Sequence, residues 1–340
     1  MLWYEMTGRD SDVVVSSRVR LARNLEDYPF GERLNVPMAK EIIEKVKRVF
    51  EDEPSYKYVD FSLLDSVQRA AETDRHKVSA EFAAKKTPTA FVESESNQIY
   101  IMVLEEDHLR IQSIKAGFAL EEAYEAARSA DKLIDDKLNI AYDEKLGYLT
   151  HCPTNLGTGM RASVMLHLPA LTYADGIRSL QNQLAKIGIT IRGMWGEGSA
   201  ADGCLYQMSN QVTLGMSEED IISKLSGICE RVVQQERSLR EKLRDNDNGK
   251  LTDKIMRAYG TMLYATLIDS SELFRLYADV RLGASLGIIK ALKLSSLDKM
   301  LISGMVGVIM SENKDVKTPL DRDRARADMI RCILAGGEEQ

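Results

Sequence analysis

Ser16-Ser17-Arg18-Val19-Arg20 sets two arginines two residues apart in a β-prone run. On a strand, residues i and i+2 point to one face, so Arg18 and Arg20 project together. Three more arginines stand in short motifs further along. Arg110 closes Glu105-Glu106-Asp107-His108-Leu109-Arg110. Arg161 ends Cys152-Pro153-Thr154-Asn155-Leu156-Gly157-Thr158-Gly159-Met160-Arg161, and Arg192 opens Arg192-Gly193-Met194-Trp195-Gly196-Glu197. A guanidinium fork is a natural partner for phosphate oxygens, and several converging forks could replace a glycine-rich phosphate loop. That loop's pattern, GxxxxGK[ST], is absent, as are the protein-kinase signatures.

The chain around these motifs mixes helical and strand patterns. Ile42, Val46, Val49 and Phe50 fall on one helical face over 38–52, and Ile99-Tyr100-Ile101-Met102-Val103 reads as a buried strand. Abundant Ala and Glu without proline predict a long helix at 113–138. Strand-like runs recur at 163–168, 189–194 and 205–214, with a helix near 176–187 between them. This order suits an α+β domain better than a strict βαβ repeat. Ser217-Glu218-Glu219-Asp220 opens a helix that Asp245-Asn246-Asp247-Asn248-Gly249 breaks, and amphipathic helical stretches follow. The expected division is 1–240 and 241–340, with the boundary near 235–250.

With 45 basic and 52 acidic residues in 340, the net charge is 45 − 52 = −7, which gives no reason to expect nucleic acid as the main partner. No apolar run approaches the ~18–20 residues a membrane span needs, and the first residues lack a signal-peptide pattern. Cys152, Cys204, Cys229 and Cys332 form neither CxxC nor a disulfide ladder. The expectation is a reduced, soluble, cytoplasmic protein with no structural metal.

In the order in which they occur, the four arginine-bearing segments resemble the catalytic domain of the phosphagen (guanidino) kinases over residues 10–235. Those enzymes place a helical domain before the first arginine motif; this chain instead continues in helices after the catalytic part. That layout is similar to the bacterial protein arginine kinases, and Arg322-Asp323-Arg324-Ala325-Arg326-Ala327 matches their RDxxRA phosphoarginine-binding pattern. The resemblance implies an antiparallel sheet flanked by helices, followed by an all-α regulatory domain.

It also implies transfer of the γ-phosphoryl group of ATP, with Mg2+ carried by the nucleotide, to arginine side chains. Glu106 would act as general base, Glu197 would orient the guanidinium, and Cys152 would hold it electrostatically. Arg18, Arg20, Arg110, Arg161 and Arg192 would clamp the phosphates. The nucleotide would also meet Ser16, Ser17 and Val19, then Ala162, Ser163, Val164 and Met165, and then Gly193, Met194, Trp195, Gly196 and Glu197. His76 either stacks near the adenine or is a surface histidine; His108 orients its neighbours, and His151 and His167 are structural. The family usually has Asn where Leu104 stands and a nucleotide-contacting His where Met165 stands.

By the same resemblance the substrates are proteins with exposed arginines, marked for Clp-type proteolysis in bacterial stress response and quality control. The implied partners are a second copy in a homodimer, a Clp ATPase and a small zinc-binding activator (McsA), with no nucleic acid or membrane. The alternatives are a kinase of small guanidines such as free arginine, and an inactive phosphoarginine-binding adaptor.

Overall fold

A computed structural model describes residues 2–193, 202–290 and 292–336. Its strands are β1 (Val14–Arg23), β2 (Lys57–Asp60), β3 (Ala90–Ser94), β4 (Ile99–Val103), β5 (Leu109–Ala116), β6 (Tyr142–Asp143), β7 (Gly147–Tyr148), β8 (Met160–His167), β9 (Ile189–Gly193) and β10 (Leu205–Asn210). The first helices are α1 (Val36–Phe50), α2 (Ser66–Asp74), α3 (Ala80–Ala83), α4 (Leu120–Asp135), α5 (Pro169–Tyr173) and α6 (Ile177–Ala185). They are followed by α7 (Glu218–Asp245), α8 (Lys250–Tyr264), α9 (Ser270–Ser285), α10 (Leu294–Ser303), α11 (Val306–Glu312) and α12 (Pro319–Gly336). Eight strands form one antiparallel sheet in the order β2-β3-β4-β5-β1-β8-β10-β9, and β6 and β7 form a separate hairpin.

Local chemistry sets the helix ends. The Asn35 side chain accepts from Met38 N at 3.0 Å to start α1, and the predicted Ser217/Asp220 capping box starts α7. Gly249, at φ +93°, turns the chain between α7 and α8. The helix predicted over 113–138 is shorter than its composition suggested. Leu109–Ala116 is strand, Gly117 at φ +63° breaks it, and α4 begins only at Leu120. The pairing of β5 with β1 and β4 outweighs helix propensity there.

Alternate residues of each strand feed two cores. Val19, Leu21, Ile101, Ile111 and Val164 pack with Ile42 and Val46 of α1, Ala127 of α4 and Leu225 of α7. On the opposite face Val15, Tyr100, Met102, Ile114 and Leu205 pack with Phe274, Tyr277, Leu301 and Ile330 from the C-terminal helices. One end of that second face is therefore apolar and roofed by α8–α12. The other end carries the arginines.

Buried charges bolt the roof to the sheet. Arg281 of α9 is 0% exposed and bonds Asp298 at 2.9 Å, Ser11 O at 2.8 Å and Asp12 O at 3.1 Å. Tyr277 Oη donates to the same Asp298 at 2.7 Å. Arg281→Met leaves the Asp298 carboxylate buried without its cation, so about 3–5 kcal/mol of stability should be lost in urea unfolding. A loss below about 1 kcal/mol would show that water reaches the pair.

Candidate active site

The register of β1 against β8 and β5 builds an arginine surface. Arg20 lies opposite Arg161, and Arg18 lies opposite Ser163. Arg110 enters from β5 opposite Ala22, and Arg192 enters from β9 opposite Gln207 of β10. Burial pushes the Arg18 guanidinium down to about 10, with the neighbouring positive charges of Arg161 and Arg110 adding to it. Arg20 is held well below its usual value by burial and then by Arg18, Arg110 and Arg161. Burial lowers Arg161 too, with Arg192 and Arg110 next. Arg20 Nε and Arg161 Nε are buried donors with no hydrogen-bond partner. Packing like charges with unmet donors costs free energy that a multiply charged anion would return. The donor set therefore fits a polyphosphate.

Glu105 and Glu106 divide the work beside this surface. Glu105 is buried and accepts from Ser79 Oγ and Arg110 Nη1, each at 2.7 Å, so it aims Arg110. Glu106 keeps 38% of its side chain exposed, 3.5 Å from Arg110. Burial raises its pKa, Asp107 and Glu105 add to the rise, and Arg110 opposes it. Asp107 accepts from Asn24 Nδ2 and His151 N, each at 2.6 Å, tying the Glu106 turn to the loop before Cys152. His108 is neutral by burial; its Nδ1 accepts from Leu25 N at 3.1 Å, which leaves Nε2–H to donate to Pro29 O at 3.2 Å. Its ring thus ties the turn to Leu25 and Pro29.

A cleft of about 1010 Å³ opens here, lined by Arg20, Arg110, Arg161, Glu105, Glu106, His151, residues 34–36, Ala39 and the segment 85–88. A second cavity of about 30 Å³, room for roughly one water, lies against Arg18. Ser16, His76, Ser163 and Met165 line that cavity, closed by Trp3, Tyr277, Leu301 and Ile302. His76 is thus no surface residue; burial and Arg18 push its imidazole down to about 3, so it is neutral. Cys152 is half-buried, with Sγ 3.0 Å from Thr154 Oγ1.

Some predicted contacts face elsewhere. The side chains of Val19, Ala162 and Val164 lie in the opposite core, and Ser17 Oγ donates to Gly117 O at 2.9 Å. Strand alternation turns all four from the arginine face, leaving only their backbone for a ligand. Gly193 ends β9; Met194, Trp195, Gly196 and Glu197 lie outside the described residues.

In α12 the RDxxRA pattern divides by depth. Arg326 is 1% exposed and donates to Gly304 O, Ile268 O, Asp323 and Ser270 Oγ at 2.7–3.0 Å. Arg322 and Arg326 therefore do not present a matched pair of open guanidiniums, and Asp323 is already paired. Ala327 is buried, Ala325 and Arg322 are half-exposed, and Arg324 is exposed.

Sequence reasoning missed Asn24, Ser79 and Lys85, which fix the glutamate turn without any motif of their own. Among the described residues, no three His, Cys, Asp or Glu side chains form a group that could hold a metal ion. No single described helix is long and apolar enough to cross a membrane.

Residues 37–239 match the family described as ATP:guanido phosphotransferase, C-terminal catalytic domain. Residues 248–340 match the Protein-arginine kinase McsB C-terminal domain. The chain is 42% identical over 305 residues to a protein-arginine kinase of Clostridium acetobutylicum, covering 88% of this chain and 90% of that one. It is 40% identical over 343 residues to one of Brevibacillus brevis, covering 99% and 96%. In structure it is similar to the duplicated taurocyamine kinase of Schistosoma mansoni with bound transition-state-analogue components, at TM-score 0.62 and 24% identity. That match spans 79% of this chain and 40% of the duplicated protein. Lombricine kinase matches at TM-score 0.59 and 21% identity over 71% of this chain and 70% of that one. These two likenesses concern the fold alone.

Proposed function

The chain belongs to the protein-arginine kinases of the ATP:guanido phosphotransferase family, and from that premise we propose which residues carry the transfer. Bound MgATP supplies the γ-phosphoryl group. Arg18, Arg20, Arg110, Arg161 and Arg192 hold the phosphates and spread the charge that develops during transfer. Glu106 aligns the substrate guanidinium and accepts its proton as the nitrogen attacks, which answers a group whose pKa exceeds ~12. Glu197 and Cys152 complete the guanidinium's surroundings. The observation that carries this reading is the buried arginine surface with unpaired Nε donors, facing a carboxylate of raised pKa.

His76 and Met165 stand beside Arg18, toward the base end of the nucleotide; the cavity they line holds about one water, so the base itself lies outside it. Mg2+ arrives with the nucleotide. In α12, Arg322 is the half-exposed guanidinium left for a phosphoarginine and Arg326, one turn on, braces the same face from below, while Arg324 projects elsewhere. The homodimer is a reading from the family. The activator, the Clp ATPase, the stress-response setting and the cytoplasmic location follow from the family alone.

Thermal unfolding tests the nucleotide part. MgATP at 100 times its Kd stabilises the folded chain by about 2.7 kcal/mol, and the midpoint should rise by several degrees. An unmoved midpoint at millimolar MgATP would remove the nucleotide from this surface.

The raised pKa of Glu106 sets the pH dependence. A general base works deprotonated, so kcat/KM should rise with pH through an apparent pKa above the usual carboxylate range. An acid limb at or below ~4.3 would point to another base.

A further inference from the structure

We propose that Lys85 is a positioning residue for Glu106, holding a strained turn that aims this carboxylate into the cleft. The proposal rests on reading Glu106 as the base. Lys85 directly follows α3 and its C-cap, where its carbonyl accepts from Arg69 Nη1 at 2.8 Å and its amide donates to Phe82 O at 3.2 Å. From that fixed base its Nζ crosses to the β4–β5 turn. There it donates to Leu104 O at 2.7 Å and also to Glu105 O. Two of the ammonium's three donors are thus engaged by successive carbonyls immediately before Glu106.

Leu104 needs that support. Its φ is +69°, in the left-handed region where a β-carbon crowds the backbone and leucine is disfavoured. Its amide donates to His108 O at 2.7 Å, closing the turn that carries Glu105, Glu106 and Asp107. The strain sits one residue before Glu105, so relaxing it would swing the whole acidic segment. A cation bridging both carbonyls opposes that relaxation. Lys86, the next residue, is exposed to solvent.

The test is a mutant cycle on the full chain, with kcat and KM for MgATP measured on a protein substrate. Lys85→Met should lower kcat roughly 10–100-fold with KM for MgATP within about twofold, since a group misplaced by ~1 Å costs up to ~10²-fold. The acid limb of kcat/KM should also move to higher pH, because a cation beside Glu106 is lost. Leu104→Asn puts a residue that visits the left-handed region at the strained position. In that background Lys85→Met should cost at least ~3-fold less.

Equal losses in both backgrounds, or an unchanged kcat, overturn the proposal. A raised KM for MgATP at constant kcat overturns it as well and assigns Lys85 to the phosphates. If Lys85→Met does not fold, Lys85→Gln, which retains one donor arm, replaces it in the same cycle. Glu106→Gln in the same assay separates the two readings: if it retains kcat, the base assignment fails whatever the Lys85 variants do.

Discussion

Glu106→Gln should reduce phosphoryl transfer to protein arginine by about 10²–10⁴-fold in kcat, the range a positioned general base supplies. The substitution keeps shape and volume, so the cleft and the Glu105–Arg110 bond at 2.7 Å should survive. What it removes is the proton acceptor. KM for MgATP should stay within about twofold, because the phosphates are held by arginines and not by this side chain. Thermal unfolding should change little, since Glu106 is the exposed member of the acidic turn. A variant retaining more than about a tenth of wild-type kcat would leave Glu106 only an orienting part.

Arg20→Met should be almost as damaging to turnover, and it should act oppositely on stability. Arg20 sits among Arg18, Arg110 and Arg161, with Glu105 the nearby acid that favours its charge. Losing a donor aimed at developing charge costs about 10²–10³-fold in kcat. Yet a guanidinium whose folded-state pKa is pushed down is held there against its own preference. Its charged form costs stability wherever the unfolded chain keeps the proton, which covers all physiological pH. Methionine removes both the repulsion and the buried Nε that lacks a partner. The midpoint of urea unfolding should therefore rise while activity collapses, the trade expected of a strained functional site. A fall in both would mean that Arg20 is held by contacts more valuable than the repulsion it suffers.

Much of this site could be read from the chain because its logic is periodic or local. The i, i+2 spacing of Arg18 and Arg20 on β1 needed only strand geometry, and the register opposite Arg161 and Ser163 agrees with it. The same alternation, applied further, puts the side chains of Ser17, Val19, Ala162 and Val164 on the other face. A motif names residues without saying which of them turn inward. The overlong helix at 113–138 failed because composition says nothing of the pairing of Leu109–Ala116 with β1 and β4.

Depth was the least legible property. Arg322 and Arg326 share a helix face by spacing, but Arg326 reaches Gly304, Ile268 and Ser270 from chain segments far away in sequence. Lys85 likewise acquires its meaning only where α3 meets the β4–β5 turn. Tertiary contacts of this kind leave no local signal.

The activity itself is tested most directly by label from γ-labelled ATP, offered side by side to an unfolded model protein and to free arginine. Label should enter the protein, be lost on acid treatment because a P–N bond is acid-labile, and be absent with Glu106→Gln. Label on free arginine alone, or none on the protein from a folded wild-type chain that still binds phosphoarginine, would contradict a protein-arginine kinase.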